Sequence, residues 1–301
     1  MNETVFITGG TGFIGRNLIR QLMKEKRNVH ILIRSRKKQL LFKDIPPENF
    51  HYYDGSLKSI DLALDKSMPS VVFHLATTYI AEHAPSHLQS ILDSNISLGV
   101  HLLEALSAHK VSCLINTSTA LHCPESKYNH PANLYTTTKQ AFETFISYYS
   151  NVKKFKAVTL RLFDTYGPYD ERPKVLPALF KASKTNEELN MSPGHQKLDL
   201  LHVDDVIKGL ILAAKYARTM QSVKHEAFNL QSGKLYSIRE IVEIFSKVTK
   251  TPMNVNWGAI PYRKREVMTP LNDGKCLPNW VPSISLEEGI KLVLTTLHSH
   301  K

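Results

Sequence analysis

Tyr135 and Lys139 stand four residues apart in Tyr135-Thr136-Thr137-Thr138-Lys139. On a helix that spacing puts both side chains on one face. A phenol titrates near pH 10, roughly, and is a weak acid–base at neutrality. A neighbouring ammonium stabilises the phenolate and lowers that value. Upstream, Asn116-Thr117-Ser118-Thr119 ends in a hydroxyl just past an apolar strand pattern. The carboxyl ends of strands are where open α/β sheets bind ligands. Thr119 as hydrogen-bond partner, Tyr135 as proton donor and Lys139 as its tuner suit proton transfer at a carbonyl oxygen. A Tyr-x-x-x-Lys spacing alone recurs by chance, so its context decides. Tyr128, the competing tyrosine, has no lysine four residues on.

The context begins at Thr8-Gly9-Gly10-Thr11-Gly12-Phe13-Ile14-Gly15. Gly10, Gly12 and Gly15 fit G-x-G-x-x-G, and Gly9 adds a second register. One glycine makes the turn, one lets backbone N–H groups approach a pyrophosphate, and the last allows close helix–strand packing. The helix N-terminus that follows favours an anion. After the second strand pattern comes Arg34-Ser35-Arg36-Lys37-Lys38, with no carboxylate between Asn28 and Gln39. An acid there would hold a ribose 2′-OH, whereas Arg34 pairs with a 2′-phosphate. The expected cofactor is NADPH (NADP).

These groups need a scaffold. Strand-like runs at Thr4–Ile7, Val29–Ile33, Val71–Leu75, Leu114–Asn116 and Val158–Leu160 alternate with helical patterns at Ile14–Glu25, Leu88–Ala108 and Thr137–Tyr149. Such alternation predicts an α/β fold with a doubly wound parallel sheet. After Arg161 the texture changes, with Pro168, Pro173, Pro177 and Pro193 breaking the chain. A helix near Asp204–Ala217, a strand at Ala227–Leu230 and a capping box at Ser237 and Glu240 follow. The expected division is a dinucleotide-binding domain over 1–165, joined by elements near 200–230, and a smaller C-terminal lobe over 166–301.

The 301 residues carry 38 Lys+Arg against 27 Asp+Glu, a formal charge of +11. With 42% hydrophobic residues the composition is globular, not disordered. The charge suits a polyanion or a phosphorylated small molecule. The basic clusters are scattered and not interleaved with aromatics, which argues against nucleic acid. Cys113, Cys123 and Cys276 show no C-x-x-C spacing, so neither a disulfide framework nor a metal site is expected. The first residues are not a signal peptide, and no stretch approaches 18 apolar residues, so no membrane partner and a cytoplasmic location are expected. His74 and His202 read as packed residues, and the HSHK tail as a frayed end.

The chain resembles the extended short-chain dehydrogenase/reductase family, in its branch acting on nucleotide sugars. The resemblance rests on TGGTGFIG at 8–15, VVFHLAT at 71–77, INTSTA at 115–120, YTTTK at 135–139, RLFDTYGP at 161–168, LLHVDDV at 200–206, FNLQSGKLYSIREI at 228–241 and NWVPSISLEEGI at 279–290. It implies a Rossmann-type fold with a substrate-binding lobe. It implies Thr119, Tyr135 and Lys139 as the catalytic set. For the cofactor it implies Gly9, Gly12, Phe13, Ile14, Gly15, Arg34, Asp54, Leu75, Ala76, Thr77, Asn95, Thr117, Tyr135, Lys139, Leu162 and Phe163. For the substrate, a nucleotide-diphosphate sugar, it implies Thr78, Thr119, Asp164, Val175, Leu200 and Arg263, with Arg265 as fallback. Relatives commonly form homodimers through the helices near 88–108 and 137–149. Asp164 stands where many relatives carry Asn, and Leu198 where Arg is frequent.

Three reactions share this scaffold. Dehydration needs carboxylates after the catalytic hydroxyl, but Ala120-Leu121-His122-Cys123 follow Thr119. C4 epimerisation retains NAD, which the basic second-strand end disfavours. Reduction needs NADPH, a proton donor and a positioned ketone. The segments 115–151 and 257–268 look closest to reductases of nucleotide-linked 4-keto-6-deoxyhexoses, CDP- or dTDP-linked, which in similar enzymes serve deoxysugar and O-antigen biosynthesis. The NAD-dependent C4 epimerase stays as the alternative. Outside the class, a redox sensor binding NADPH without chemistry would have no use for Tyr135 and Lys139 at helical spacing.

Overall fold

The computed structural model describes residues 3–109, 111–121, 131–271 and 274–298. His122, Cys123, Tyr128 and the last residues of the HSHK tail lie outside the described residues. The strands are β1 (Thr4–Thr8), β2 (Asn28–Ile33), β3 (Phe50–Tyr52), β4 (Val71–His74), β5 (Cys113–Thr119), β6 (Lys156–Leu162), β7 (Asp164–Tyr166), β8 (Leu189–Met191), β9 (Lys197–His202), β10 (His225–Leu230), β11 (Leu235–Ser237) and β12 (Val255–Trp257). The helices are α1 (Phe13–Lys24), α2 (Leu57–Ser67), α3 (Leu88–Leu92), α4 (Leu98–Ala108), α5 (Leu134–Lys153), α6 (Val175–Thr185), α7 (Val203–Thr219), α8 (Ile238–Thr249) and α9 (Leu286–His298).

Seven strands form a parallel sheet in the order β10-β6-β5-β4-β1-β2-β3. Every residue of β4 and β5 is buried, which is why these strands read as unbroken runs without alternation. β1 pairs with β2 on one side and β4 on the other. The chain therefore reverses its direction of travel across the sheet at β1, and the crevice at that switch point is where such sheets bind ligands. The apolar residues Leu18, Ile19 and Leu22 of α1 are buried with Gly15, one stripe at helical spacing.

Two compact units result. The first comprises residues 1–119, 133–161 and 207–229 and contains the large sheet. The second comprises 120–132, 162–206 and 230–301. It holds the small sheets β11-β9-β7 and β12-β8 around a core of Tyr166, Leu179, Phe245 and Ile290. Ser237 and Glu240 form the expected capping box at the start of α8. Among the described residues no helix is long and apolar enough to cross a membrane.

The single helix expected over Leu88–Ala108 is instead α3 and α4 joined by a π-helical turn at Asp93–Ser97. The inserted residue turns Asn95 inward, where its amide finds four partners described below. The helix expected from Thr137 starts at Leu134, because the Asn133 side chain accepts the Thr136 N–H at 2.9 Å and caps it. Tyr135 and Lys139 thereby share one helix. β3 and α2 were not anticipated: β3 is only three residues long, too short for a periodicity signal.

Candidate active site

The glycine loop joins β1 to α1. Gly9 has φ +71°, and a Cβ on it would lie 2.4 Å from Ala76 N, so glycine is required where this loop meets the segment after β4. That segment is tied back to β1: Leu75 N–H donates to Thr8 O at 3.1 Å, and Ala76 N–H to Thr8 Oγ1 at 3.3 Å. A Cβ on Gly12 would meet nothing closer than Gly9 O at 3.3 Å. Gly12 is the N-cap of α1, so no side chain caps that helix start, and its first turn holds no acid. An open backbone cradle at an uncapped helix N-terminus fits a pyrophosphate. Phe13, Ile14 and Gly15 form the first turn of α1.

Arg34 and Asp54 follow the adjoining ends of β2 and β3, and both are exposed. The Asp54 carboxylate accepts from Ser56 N at 2.9 Å and Ser56 Oγ at 2.7 Å, and these bonds hold its pKa below the usual value.

Past Leu75 and Ala76, Thr77 and Thr78 meet Asn95. The Asn95 Oδ1 accepts from Thr78 N at 2.7 Å and Thr77 Oγ1 at 3.1 Å. Its Nδ2 donates to Thr78 O at 3.1 Å and to Thr138 Oγ1 at 3.0 Å. Thr138 in turn donates to Tyr135 O at 2.8 Å. One buried amide thus joins the β4 loop, the π turn and the first turns of α5. Thr117 and Thr119 are buried at the end of β5, and the Thr117 hydroxyl donates to His74 O at 3.4 Å.

Lys139 is only 3% exposed. Burial pushes its ammonium down to about 8, against the opposing pull of Glu143. His74 is buried beside it and packs on Phe142, with ring centroids 5.1 Å apart. Burial, then the charge of Lys139, hold His74 near pKa 3, so it stays neutral and bonds Thr8 Oγ1 at 2.7 Å. The Tyr135 ring meets Tyr79 edge-on, at 4.9 Å between centroids and 84° between planes.

Leu162, Phe163, Asp164, Val175, Leu200 and Arg263 belong to the second unit. Leu162 and Phe163 are buried. Asp164 pairs in register with Leu200 and carries an ion pair to Lys174 at 2.5 Å, immediately before Val175 opens α6. Arg263 is exposed, and its backbone N–H donates to Glu266 at 3.3 Å. His202 is fully buried.

Sequence reasoning overlooked Tyr79, Thr138, Glu143 and Arg161. Glu143 carried a legible signal, being four residues after Lys139. Tyr79 carried none, since only folding brings its ring to Tyr135.

Residues 5–230 match the family described as "NAD dependent epimerase/dehydratase family". The chain is 25% identical to the CDP-abequose synthase of Salmonella muenchen over 298 residues, 98% of each chain. It is 24% identical to a UDP-glucose 4-epimerase of Cyamopsis tetragonoloba, over 82% of this chain and 80% of that one. In fold it is similar to the UDP-glucuronic acid 4-epimerase of Bacillus cereus, solved with UDP-glucuronic acid and NAD, with a TM-score of 0.81, 22% identity and 99% coverage of both chains.

Proposed function

Because the chain belongs to the NAD dependent epimerase/dehydratase family, we propose that it is a nucleotide-sugar oxidoreductase that reduces the C4 ketone of a nucleotide-activated 4-keto-6-deoxyhexose, CDP- or dTDP-linked, with NADPH. The observation that carries reduction over epimerisation is the end of β2. Arg34 is exposed there, in a stretch from Asn28 to Gln39 without a carboxylate. That charge favours a 2′-phosphate, and hence a cofactor that is exchanged after each turnover. The CDP-abequose synthase likeness over the whole chain supports the substrate class.

When bound, the nicotinamide cofactor supplies the hydride. The chain's own residues do the rest. Gly9, Gly12 and the start of α1 bind the pyrophosphate. Tyr135 donates its phenolic proton to the oxygen at C4 as negative charge develops on it. Thr119 donates a second hydrogen bond to that oxygen. Lys139, charged at neutral pH, stabilises the phenolate that remains. Ala120 and Leu121, which follow Thr119, offer no group to draw a proton from carbon, in keeping with reduction and not dehydration. Asp164, Val175, Leu200 and Arg263 are the proposed nucleotide-sugar contacts of the second unit. A cytoplasmic homodimer completes the reading.

The test is NADPH consumption against CDP-, dTDP-, UDP- and GDP-linked 4-keto-6-deoxyhexoses, with NADH as the paired control. Rapid NADPH loss with one nucleotide is expected. The second reading, an NAD-dependent C4 epimerase, is favoured by the UDP-glucose 4-epimerase relative. It takes over if no ketosugar consumes NADPH while a plain nucleotide hexose equilibrates with its C4 epimer.

A further inference from the structure

The buried residues of α5 include Lys139, Phe142, Glu143 and Ile146. Their spacing is that of a stripe packed against a core, where apolar side chains belong. Two of the four carry charge. A buried charge without compensation is expensive, so a fold that keeps two of them on one stripe has a use for both.

Glu143 is fixed from outside its own helix. Arg161 Nε donates to its two carboxylate oxygens at 3.2 and 3.1 Å, and Nη2 donates to Oε2 at 2.7 Å. This fork sets the plane of the carboxylate. The Arg161 side chain is 36% exposed and that of Glu143 only 10%, so β6 carries the pair from solvent into the layer beneath α5. Lys139 lies one helical turn from Glu143, a separation at which side chains on one face meet. Glu143 is the carboxylate acting on it. Among the described residues, His74 from β4 and His225 from β10 also sense these charges, with Glu226 acting on His225. Burial lowers both histidines, so neither competes as a cation at neutral pH.

We propose that Glu143, clamped by Arg161 and one turn along the same buried helix face, is a positioning residue for the reaction: its carboxylate compensates the charge of the Lys139 ammonium, so that Lys139 stays cationic while Tyr135 gives up its proton. The assignment rests on the reading of Tyr135 and Lys139 as the acid–base pair. Glu143 itself touches neither substrate nor cofactor. Its effect reaches the chemistry only through Lys139.

The experiment is an NMR titration of protein labelled at lysine 13Cε, with the Lys139 signal assigned by its loss in Lys139→Arg. It is run on the wild type, Glu143→Gln, Glu143→Asp and the double variant Glu143→Gln/Arg161→Met. Glu143→Gln is expected to lower the Lys139 midpoint by about one pH unit. Glu143→Asp, which keeps the charge, returns most of the shift. The double variant keeps a neutral, folded layer yet shows the lowered midpoint. In the ketosugar assay the alkaline limb of kcat moves by the same amount. The loss from Glu143→Gln is then about tenfold at pH 9 and under about twofold at pH 6.5, with KM little changed. An unmoved Lys139 midpoint in Glu143→Gln overturns the proposal. So does an activity loss that is equal at every pH and repaired in the double variant, since both mark a structural ion pair. A shifted midpoint in a protein that turns over no ketosugar sustains the Glu143 assignment and overturns the ketoreductase reading.

Discussion

Asn95 Nδ2 donates to Thr138 Oγ1 at 3.0 Å, joining the π turn to the helix that carries Tyr135 and Lys139. The same amide holds both backbone groups of Thr78. Thr78 precedes Tyr79, whose ring meets Tyr135. The helix of the proposed acid–base pair and the loop that packs on its tyrosine are therefore registered by one side chain. The π turn is what points that side chain inward, a helix irregularity beside the candidate site.

Replacing Asn95 by leucine leaves Thr78 N–H and O without their buried partners. At about 1–3 kcal/mol per orphaned group, a loss of about 3 kcal/mol is expected in urea denaturation. Turnover should fall further than stability explains, because α5 loses its register. A variant with unchanged kcat would show that Asn95 is only a stability element.

Lys139 makes opposite demands on stability and function. Its folded pKa of about 8 lies below its ordinary value of 10.5. Below pH 8 both states hold the proton and the folded state bears the full cost of burying it. Between 8 and 10.5 the folded state releases it first, so stability climbs with pH across that window. Lys139→Met is expected to raise stability at pH 7 by about 3 kcal/mol, to lose that advantage by pH 10.5, and to abolish turnover. Thermal melts across that range check it; a destabilised Met variant at pH 7 sinks the argument.

Acid acts through other residues. The folded pKa of His74 is about 3 and that of His51 about 4, against 6.5 when unfolded. Desolvation is the main cause for both. As pH falls below 6.5 the unfolded chain takes up protons that the folded chain refuses, so stability drops until each folded pKa is reached. Each histidine should cost about 2 kcal/mol by pH 5. Unfolding midpoints at pH 7 and pH 5 measure the drop, and a flat profile would contradict the neutral, buried state of both rings.

Gly12 and Gly9 separate fold from cofactor. Gly12 has φ −80°, and a Cβ on it would meet only Gly9 O, at 3.3 Å, so Gly12→Ala should still fold, with a small loss of stability as that carbonyl gives way. It should weaken dinucleotide binding by at least about tenfold through loss of close backbone approach. Gly9→Ala should instead fail to fold stably, because its Cβ meets the Ala76 backbone at a left-handed φ. Fluorescence titration beside thermal melts distinguishes them; equal affinity in Gly12→Ala would remove the pyrophosphate from this loop.

Arg34 tests the choice of cofactor. Arg34→Glu puts a carboxylate where a 2′-phosphate is proposed to sit. The ratio of NADPH to NADH affinity should fall by about 10- to 100-fold, the worth of one charge-assisted hydrogen bond. A ratio unaffected by the substitution would return the basic turn to a solvated surface role.

Much of this was legible in one dimension. The glycine spacing, the basic end of β2, the Tyr135–Lys139 spacing and the alternation of strands and helices are local properties. Backbone conformation, helical periodicity and net charge are decided within a few residues. These sufficed for a parallel sheet, a glycine turn that opens the first helix, and Tyr135 and Lys139 on one helix. The short elements β3, β7, β8, β11 and β12 were not legible, because three-residue strands are fixed by pairing partners far away in the chain.

What only the tertiary structure decided is what lies beneath and beside that pair. Asn95 and Thr138 are 43 residues apart, and Arg161 and Glu143 are 18 apart. No local pattern predicts which buried polar groups will meet, since a buried amide or carboxylate is stable only against the partner that the whole sheet delivers. The π turn follows the same logic. Its sequence reads as plain helix, and the extra residue is held there by hydrogen bonds to a loop 17 residues away. The sequence determined which groups are available for chemistry, and packing determined which of them hold the others in place, because desolvation makes each buried polar group depend on its long-range partner.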